Sequence, residues 1–355
     1  MPTYTLAQLG WDRTRTEQFE QYAAAGYLPA RVIRPERGAC VVASEQAIMT
    51  ARLQLDLAET LTSAAMPTVG DWVVCSIAAP KEASAAVRAV LPRTSAFIKH
   101  AAGNETVGQA LAANVDTVFV VIPLNRKLNL TRIERFLTLA WESGATPVVV
   151  LSKSDVCADL PAAISAAEAS APGVDVVAVS AVAGGGVDGI LRHVVPGRTV
   201  ALLGQSGAGK STLVNALAGE PLMATGGIRA DGRGRHTTTH RELVVLAAGG
   251  ILIDTPGLRT LLLWDAEDGL ERAFEDIAEY ADQCRFHDCR HVAEPGCAVI
   301  AAVQAGALPQ RRVDSHRKLE SELAFLARKQ DKRVAAEQRK NIKVLARAYR
   351  QRTNR

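Results

Sequence analysis

Gly204, Gly209, Lys210 and Ser211 stand in the spacing G-x-x-x-x-G-K-[ST], between the apolar run RTVALLG and the helix-forming stretch KSTLVNALAG. Glycines in such a turn let the backbone curl until its N–H groups converge on phosphate oxygens, at a helix end whose dipole favours an anion. Gly204, Gln205, Ser206, Gly207, Ala208, Gly209 and Thr212 would wrap the phosphates, with Lys210 neutralising the outer ones and Ser211 ligating Mg2+. Downstream, GILIDTPG ends an apolar strand on Asp254, a carboxylate suited to the same magnesium, and Gly257 offers its N–H to the terminal phosphate. The intervening GGIRADGRGRHTTTHREL is poor in apolar residues. It reads as a loop in which Thr237, Thr238 or Thr239 closes on the metal and phosphate, Thr238 being favoured.

The base-reading chemistry lies upstream. SKSD, Ser152 to Asp155, follows the buried run TPVVVL and resembles the guanine motif [NT]-K-x-D. The Asp155 carboxylate can accept hydrogen bonds from the guanine N1 and N2 hydrogens, which adenine lacks, while the Lys153 stem lies over the base. Ser152 stands where Asn is usual. Further on, VVAVSA ends in Ser180 and Ala181, whose backbone suits the guanine O6. These features favour GTP and GDP over ATP, and disfavour an ATPase or small-molecule kinase. The residue after D-x-x-G is Leu258, which cannot orient a water molecule. His236, beside the threonines, is the candidate catalytic group, since imidazole can accept a hydrogen bond near neutral pH, with Arg235 or a group supplied by a partner as rivals.

A different chemistry is written in the cysteines. Of the six, Cys40, Cys75 and Cys157 are isolated in apolar surroundings and read as reduced core residues. Cys284, Cys289 and Cys297 cluster with His287 and His291, a donor set for structural, tetrahedral zinc rather than for disulfides. Either histidine can complete it.

These groups need three kinds of scaffold. Residues 1–28 read as a short helical extension. Over 29–100, short strand-like runs (ARVIRPERGACVVAS, AIMTARLQL, GDWVVCSIAA, AAVRAVLPR) predict a five-stranded barrel. From 108 to 270 apolar runs alternate with helical spacing, which predicts βαβ units and a parallel sheet covered on both faces, with TRIERFLTLAWESG a helix that starts at its Thr and stops at its Gly. Residues 271–355 hold the cysteine cluster and a helical, basic tail.

The overall charge is +4, yet Arg311 to Arg355 carries 15 Lys or Arg against 5 Asp or Glu, leaving the first 310 residues at −6. That asymmetry suggests an RNA-facing end. No apolar run is long enough to span a bilayer and the N-terminus lacks a signal peptide, so a cytoplasmic protein with no membrane partner is expected.

The order of the nucleotide motifs is base, base, phosphate loop, switch, magnesium strand, a circular permutation of the ordinary GTPase order. With GDWV, AANVD, GQSGAGKSTLVNAL, GRGRHTTT, IDTPG and CRFHDCRHVAEPGCAV, the chain resembles the RsgA or YjeQ family of GTPases that depend on the small ribosomal subunit. The resemblance implies a multidomain α/β protein: an N-terminal OB-fold barrel, a circularly permuted P-loop GTPase domain and a C-terminal, mostly helical zinc domain. It selects Cys284, Cys289, His291 and Cys297 as zinc ligands. It further implies GTP hydrolysis stimulated by the 30S subunit late in its maturation, with 16S rRNA as partner and a monomeric chain. The alternative is an RNA-binding assembly factor in which GTP only sets shape.

Overall fold

The computed structural model describes residues 4–77, 84–99, 108–222, 242–254 and 266–328. Five strands, β1 (Leu28–Glu36), β2 (Ala39–Ala43), β3 (Ile48–Leu53), β4 (Trp72–Ile77) and β5 (Ser84–Val90), close a barrel in the order β1-β2-β3-β5-β4. Closure is possible because β3 and β5 pair in parallel while the other neighbours pair antiparallel. Alternate residues point inward, so Ala30 and Val32, Cys40 and Val42, Val73 and Cys75, and Ala85 and Val87 fill the barrel. Burial pushes the Cys40 and Cys75 thiols up to about 12, which keeps them protonated packing groups. Helix α1 (Arg13–Ala23), capped by Asp12, packs outside the barrel, and Phe19 joins Leu9, Trp72, Val74 and Leu91 in a second small core. A short helix, α2 (Leu55–Thr60), lies between β3 and β4.

A two-stranded ladder of β6 (Ala96–Lys99) and β7 (Gln109–Ala113) leads into the six-stranded sheet. The sheet is built from β8 (Thr117–Pro123), β9 (Thr146–Ser152), β10 (Val176–Val179), β11 (Thr199–Leu203), β12 (Glu242–Val245) and β13 (Ile251–Asp254), in the order β10-β9-β8-β11-β13-β12. Helices α3 (Leu130–Glu142) and α4 (Leu160–Glu168) cover one face, and α5 (Val187–Leu191) and α6 (Lys210–Ala218) the other. The central strand β8 divides its residues accordingly: Val118, Val120 and Ile122 face α3, while Phe119 and Val121 face α6. Burying Ile133 and Leu137 of α3 contributes about 1.5–3 kcal/mol each.

Two expectations are corrected. The sheet is not wholly parallel, because β12 runs antiparallel to β13 through a tight turn in which the Leu246 N–H bonds the Gly250 carbonyl at 2.8 Å. Helix α3 is capped by Asn129, whose side chain accepts the Arg132 N–H at 3.0 Å, rather than by Thr131.

Beyond the sheet come α7 (Glu267–Ala273), α8 (Glu275–Ala281), α9 (Ala298–Gln304) and a helix α10 over 310–328. Their apolar faces share one continuous core with α3 and the sheet: Phe274, Ile277, Val299, Val313 and Leu319 belong to the same cluster as Val118 and Leu137. The seam is pinned by charge. Glu134 of α3, fully buried, accepts Arg311 at 3.0 Å and Arg312 at 3.3 Å, and Arg312 also bonds Asp276.

Candidate functional site

Every described residue of the nucleotide motifs lies at the C-terminal ends of the parallel strands, in the loops leaving them or in the first turn of α6. Ser152 ends β9, Ser180 follows β10, Gly204 follows β11 and Asp254 ends β13. That edge is where open α/β sheets bind ligands.

The phosphate loop turns from β11 into α6. Gly204 is required there because a Cβ would sit 2.5 Å from the Val121 carbonyl of the neighbouring strand. Gly209, at φ +89, is the N-cap of α6 in a conformation that glycine adopts without strain. The first turn of α6 holds Lys210 and Ser211, and Lys210 Nζ donates to the Gly204 and Gln205 carbonyls, each at 2.7 Å. Leu213, Val214 and Leu217 anchor the helix on the sheet.

The base loop and the phosphate loop touch directly. The buried Ser152 hydroxyl donates to the Ala208 carbonyl at 2.6 Å. Lys153, at φ +59, starts a 3-10 turn over Ser154–Val156 that carries Asp155. A Cβ built on Gly209 would lie 3.9 Å from both Lys153 Cε and Ser152 Oγ, so the lysine stem and the serine flank that glycine. In the register of β10 on β9, Val179 pairs with Ser152, which puts Ser180 and Ala181 one step beyond. Ser180 is held by its N–H on the Gly185 carbonyl at 2.8 Å and accepts the Ala183 N–H at 3.1 Å.

On the other side, Asp254 stands one strand from the phosphate loop, since β13 pairs with β11. Ser211 and Asp254 offer hard oxygen donors on adjacent segments, a set that suits Mg2+. His236, Thr237, Thr238, Thr239, Gly257 and Leu258 lie outside the described residues, as does the basic tail beyond Arg328.

Spacing alone did not find Arg132. From the first turn of α3 it donates to the Gln205 side chain of the phosphate loop, a partner 73 positions away. The contact depends on tertiary packing, and no local pattern marks it.

The second site is the thiol cluster. Cys284, Cys289, His291 and Cys297 bring their donor atoms within 4.8 Å of one another. Cys284 Sγ is 3.8 Å from Cys297 Sγ and 3.6 Å from His291 Nδ1, and Cys297 Sγ is 3.4 Å from that nitrogen. Tetrahedral bonds of about 2.3 Å to sulfur and 2.0 Å to nitrogen require edges near these lengths. His287 is not in the cluster. His291 takes a left-handed φ of +59, and the Glu294 carboxylate holds the loop by accepting the Arg290, Val292 and Ala293 N–H groups at 2.8–3.0 Å. Backbone N–H groups, first that of Ala293, then its own and those of Arg290 and Val292, hold its carboxyl down at about 2.

A phosphate loop preceded by its guanine-type loops and followed by the aspartate strand defines a circularly permuted P-loop GTPase. Residues 90–264 match the family model RsgA GTPase. The small ribosomal subunit biogenesis GTPase RsgA of Streptomyces coelicolor is 49% identical over 344 residues, 95% of this chain and 92% of that protein. The Opitutus terrae protein of the same name is 45% identical over 358 residues, 98% of each. The chain therefore belongs to the RsgA GTPase family and is a GTP hydrolase. Among solved structures it resembles YjeQ from Thermotoga maritima, with a TM-score of 0.64 and 26% identity over 84% of this chain and 99% of that one. It also resembles YloQ, a circularly permuted GTPase, with a TM-score of 0.62 and 25% identity over 84% and 96% of the two chains. No described helix is long and apolar enough to cross a membrane.

Proposed function

We propose that this GTPase acts in biogenesis of the small ribosomal subunit, docking on the 30S particle through 16S rRNA as a cytoplasmic monomer and hydrolysing GTP to GDP and phosphate when docked. The observation that carries the nucleotide reading is the meeting of SKSD and GQSGAGKS through Ser152 and Ala208. The partner follows from relatives named for small-subunit biogenesis that match at 45–49% identity over nearly the full chain. Asp155 reads the guanine edge, Lys153 covers the base, Ser180 and Ala181 face O6, and residues Gly204 to Thr212 hold the phosphates. Phosphoryl transfer is mostly positioning and charge stabilisation, so the chain's contribution is to fix the phosphates and orient water. His236 orients the water in place of the glutamine that Leu258 replaces. Ser211, Asp254 and Thr238 would hold Mg2+, which would neutralise negative charge on the phosphate oxygens. Zinc on Cys284, Cys289, His291 and Cys297 is structural. Beside the extension (1–28), the barrel (29–100), GTPase unit (108–270) and zinc unit (271–355) divide the labour: the GTPase unit hydrolyses, and the barrel and zinc unit dock.

The deciding experiment compares GTP and ATP turnover alone, with small subunits and with large subunits. GTP-specific turnover raised only by small subunits is expected. Turnover indifferent to both particles would remove the ribosomal partner while leaving the GTPase.

A further inference from the structure

At the opposite edge of the sheet, about 20 Å from the phosphate loop along β8, a cleft of about 350 Å³ opens where the N-terminal extension, the barrel and the GTPase unit meet. Its wall carries three guanidinium groups, Arg15 of α1, Arg31 of β1 and Arg198 before β11, against two carboxylates, Asp12 and Asp116. Both carboxylates are already engaged. Asp12 caps α1 through the Arg15 N–H at 2.9 Å, and Asp116 accepts Arg198 and the Thr199 N–H at 2.7 and 2.8 Å.

The two buried arginines bond only neutral acceptors among the described residues. Arg31, 1% exposed, donates to the Gly70, Leu9 and Asn114 carbonyls and to Thr199 Oγ1. Arg15, 4% exposed, donates to Asn114 Oδ1 at 2.8 Å, Thr94 Oγ1 at 3.1 Å, the Pro92 carbonyl and Gln18. Buried cations are ordinarily neutralised by a carboxylate in contact. Desolvation here holds Arg31 down at about 10. Arg198 spends only Nη1 on Asp116 among the described residues, so its other nitrogens can donate to a ligand. The half-buried Trp11, edge-on to Trp72 at 4.8 Å, adds an aromatic surface on the same wall.

We propose that this cleft is a second binding site, taking a small phosphate monoester whose oxyanion pairs with Arg198 in the positive field of the buried Arg15 and Arg31 and whose organic part rests on Trp11. Guanidinium forks match phosphate oxygens, and the volume falls in the range of small-ligand pockets. A ligand here touches all three units at once. It would stiffen the joint between barrel and GTPase sheet without entering the nucleotide site.

The test uses the full chain with its GTP site saturated by GDP and Mg2+. Adenosine 5′-monophosphate, a phosphate monoester that the guanine-reading loops disfavour, and inorganic phosphate are titrated separately, with adenosine as the uncharged control. Tryptophan emission and heat are followed. A saturable response to the monophosphate, absent with adenosine, is expected. It should weaken about tenfold or more in Arg198→Ala and in Arg15→Gln. Arg198 is 62% exposed, so its variant keeps the fold and should keep basal GTP turnover. Equal affinity for inorganic phosphate would identify free phosphate as the ligand, and tighter monophosphate binding an organic ester. No saturable response to either anion, or a response untouched by Arg198→Ala, overturns the site.

Discussion

The Ser152 hydroxyl and the Ala208 carbonyl, 2.6 Å apart, join the strand that presents SKSD to the glycine-rich loop GQSGAGKS. Serine thus supplies a tie between the two loops at a position where asparagine is usual. Removing it by Ser152→Ala should cost about 1 kcal/mol, hence about fivefold in GTP and GDP affinity, with the fold unchanged. Ser152→Asn should stay near the wild-type value in the same fluorescent-nucleotide assay. Equal affinities for all three proteins would mean that the tie does not organise the site.

Asp155→Asn turns an acceptor into a donor facing the guanine N–H groups. GTP binding should fall by about 100-fold or more, and xanthosine triphosphate, whose C2 carbonyl can accept from the new amide, should bind better than GTP. Competition binding reads both changes together. An undiminished preference for GTP would move base recognition elsewhere.

Cys289→Ser removes one thiolate from a set whose atoms lie within 4.8 Å. Elemental analysis should drop from about one zinc per chain towards background, and the loop over 284–297 should become sensitive to protease. Metal content equal to that of the unaltered chain would reject the assignment.

Glu134 is fully buried between Arg311 and Arg312. Glu134→Ala leaves Arg312 with Asp276 as its one carboxylate among the described residues, beside the Ser170 and Ala273 carbonyls, and should lower stability by about 3–5 kcal/mol in denaturant titration. A loss below about 1 kcal/mol would mean that apolar packing alone holds α10 on α3.

His236→Ala should reduce turnover on the small subunit by about 100-fold while GTP affinity holds. If stimulated turnover survives the substitution, the water is oriented by another group.

The parts legible in the sequence were those with local rules. The period-2 runs gave the barrel strands, G-x-x-x-x-G-K-S its strand–loop–helix frame, and C-x4-C-x-H-x5-C its cluster. The antiparallel turn of β12 into β13 escaped because LVVLAAGGILID reads as one continuous apolar run, although a five-residue, Gly-containing connection is too short for a parallel crossover. Arg132, Glu134 and Arg312 escaped for a different reason: each is an ordinary helix-forming charge whose partner sits tens to hundreds of positions away. In the sequence alone the GDWV and AANVD stretches carry no evident physical role. In the fold they abut, with a Cβ on Gly70 falling 2.1 Å from the Ala113 carbonyl and the Asn114 amide donating to the Gly70 carbonyl at 3.0 Å. They are the seam between barrel and GTPase unit.

The core shared by α3 and the C-terminal helices bears on heredity as much as on architecture. Leu137 and Val313 occupy one apolar cluster, and Glu134 meets Arg311 and Arg312 across the same seam. A lineage therefore cannot trade its C-terminal helices for a relative's as it would exchange beads on a string. The incoming helices must arrive with a matching α3, so the two stretches, more than a hundred positions apart, are inherited as one piece.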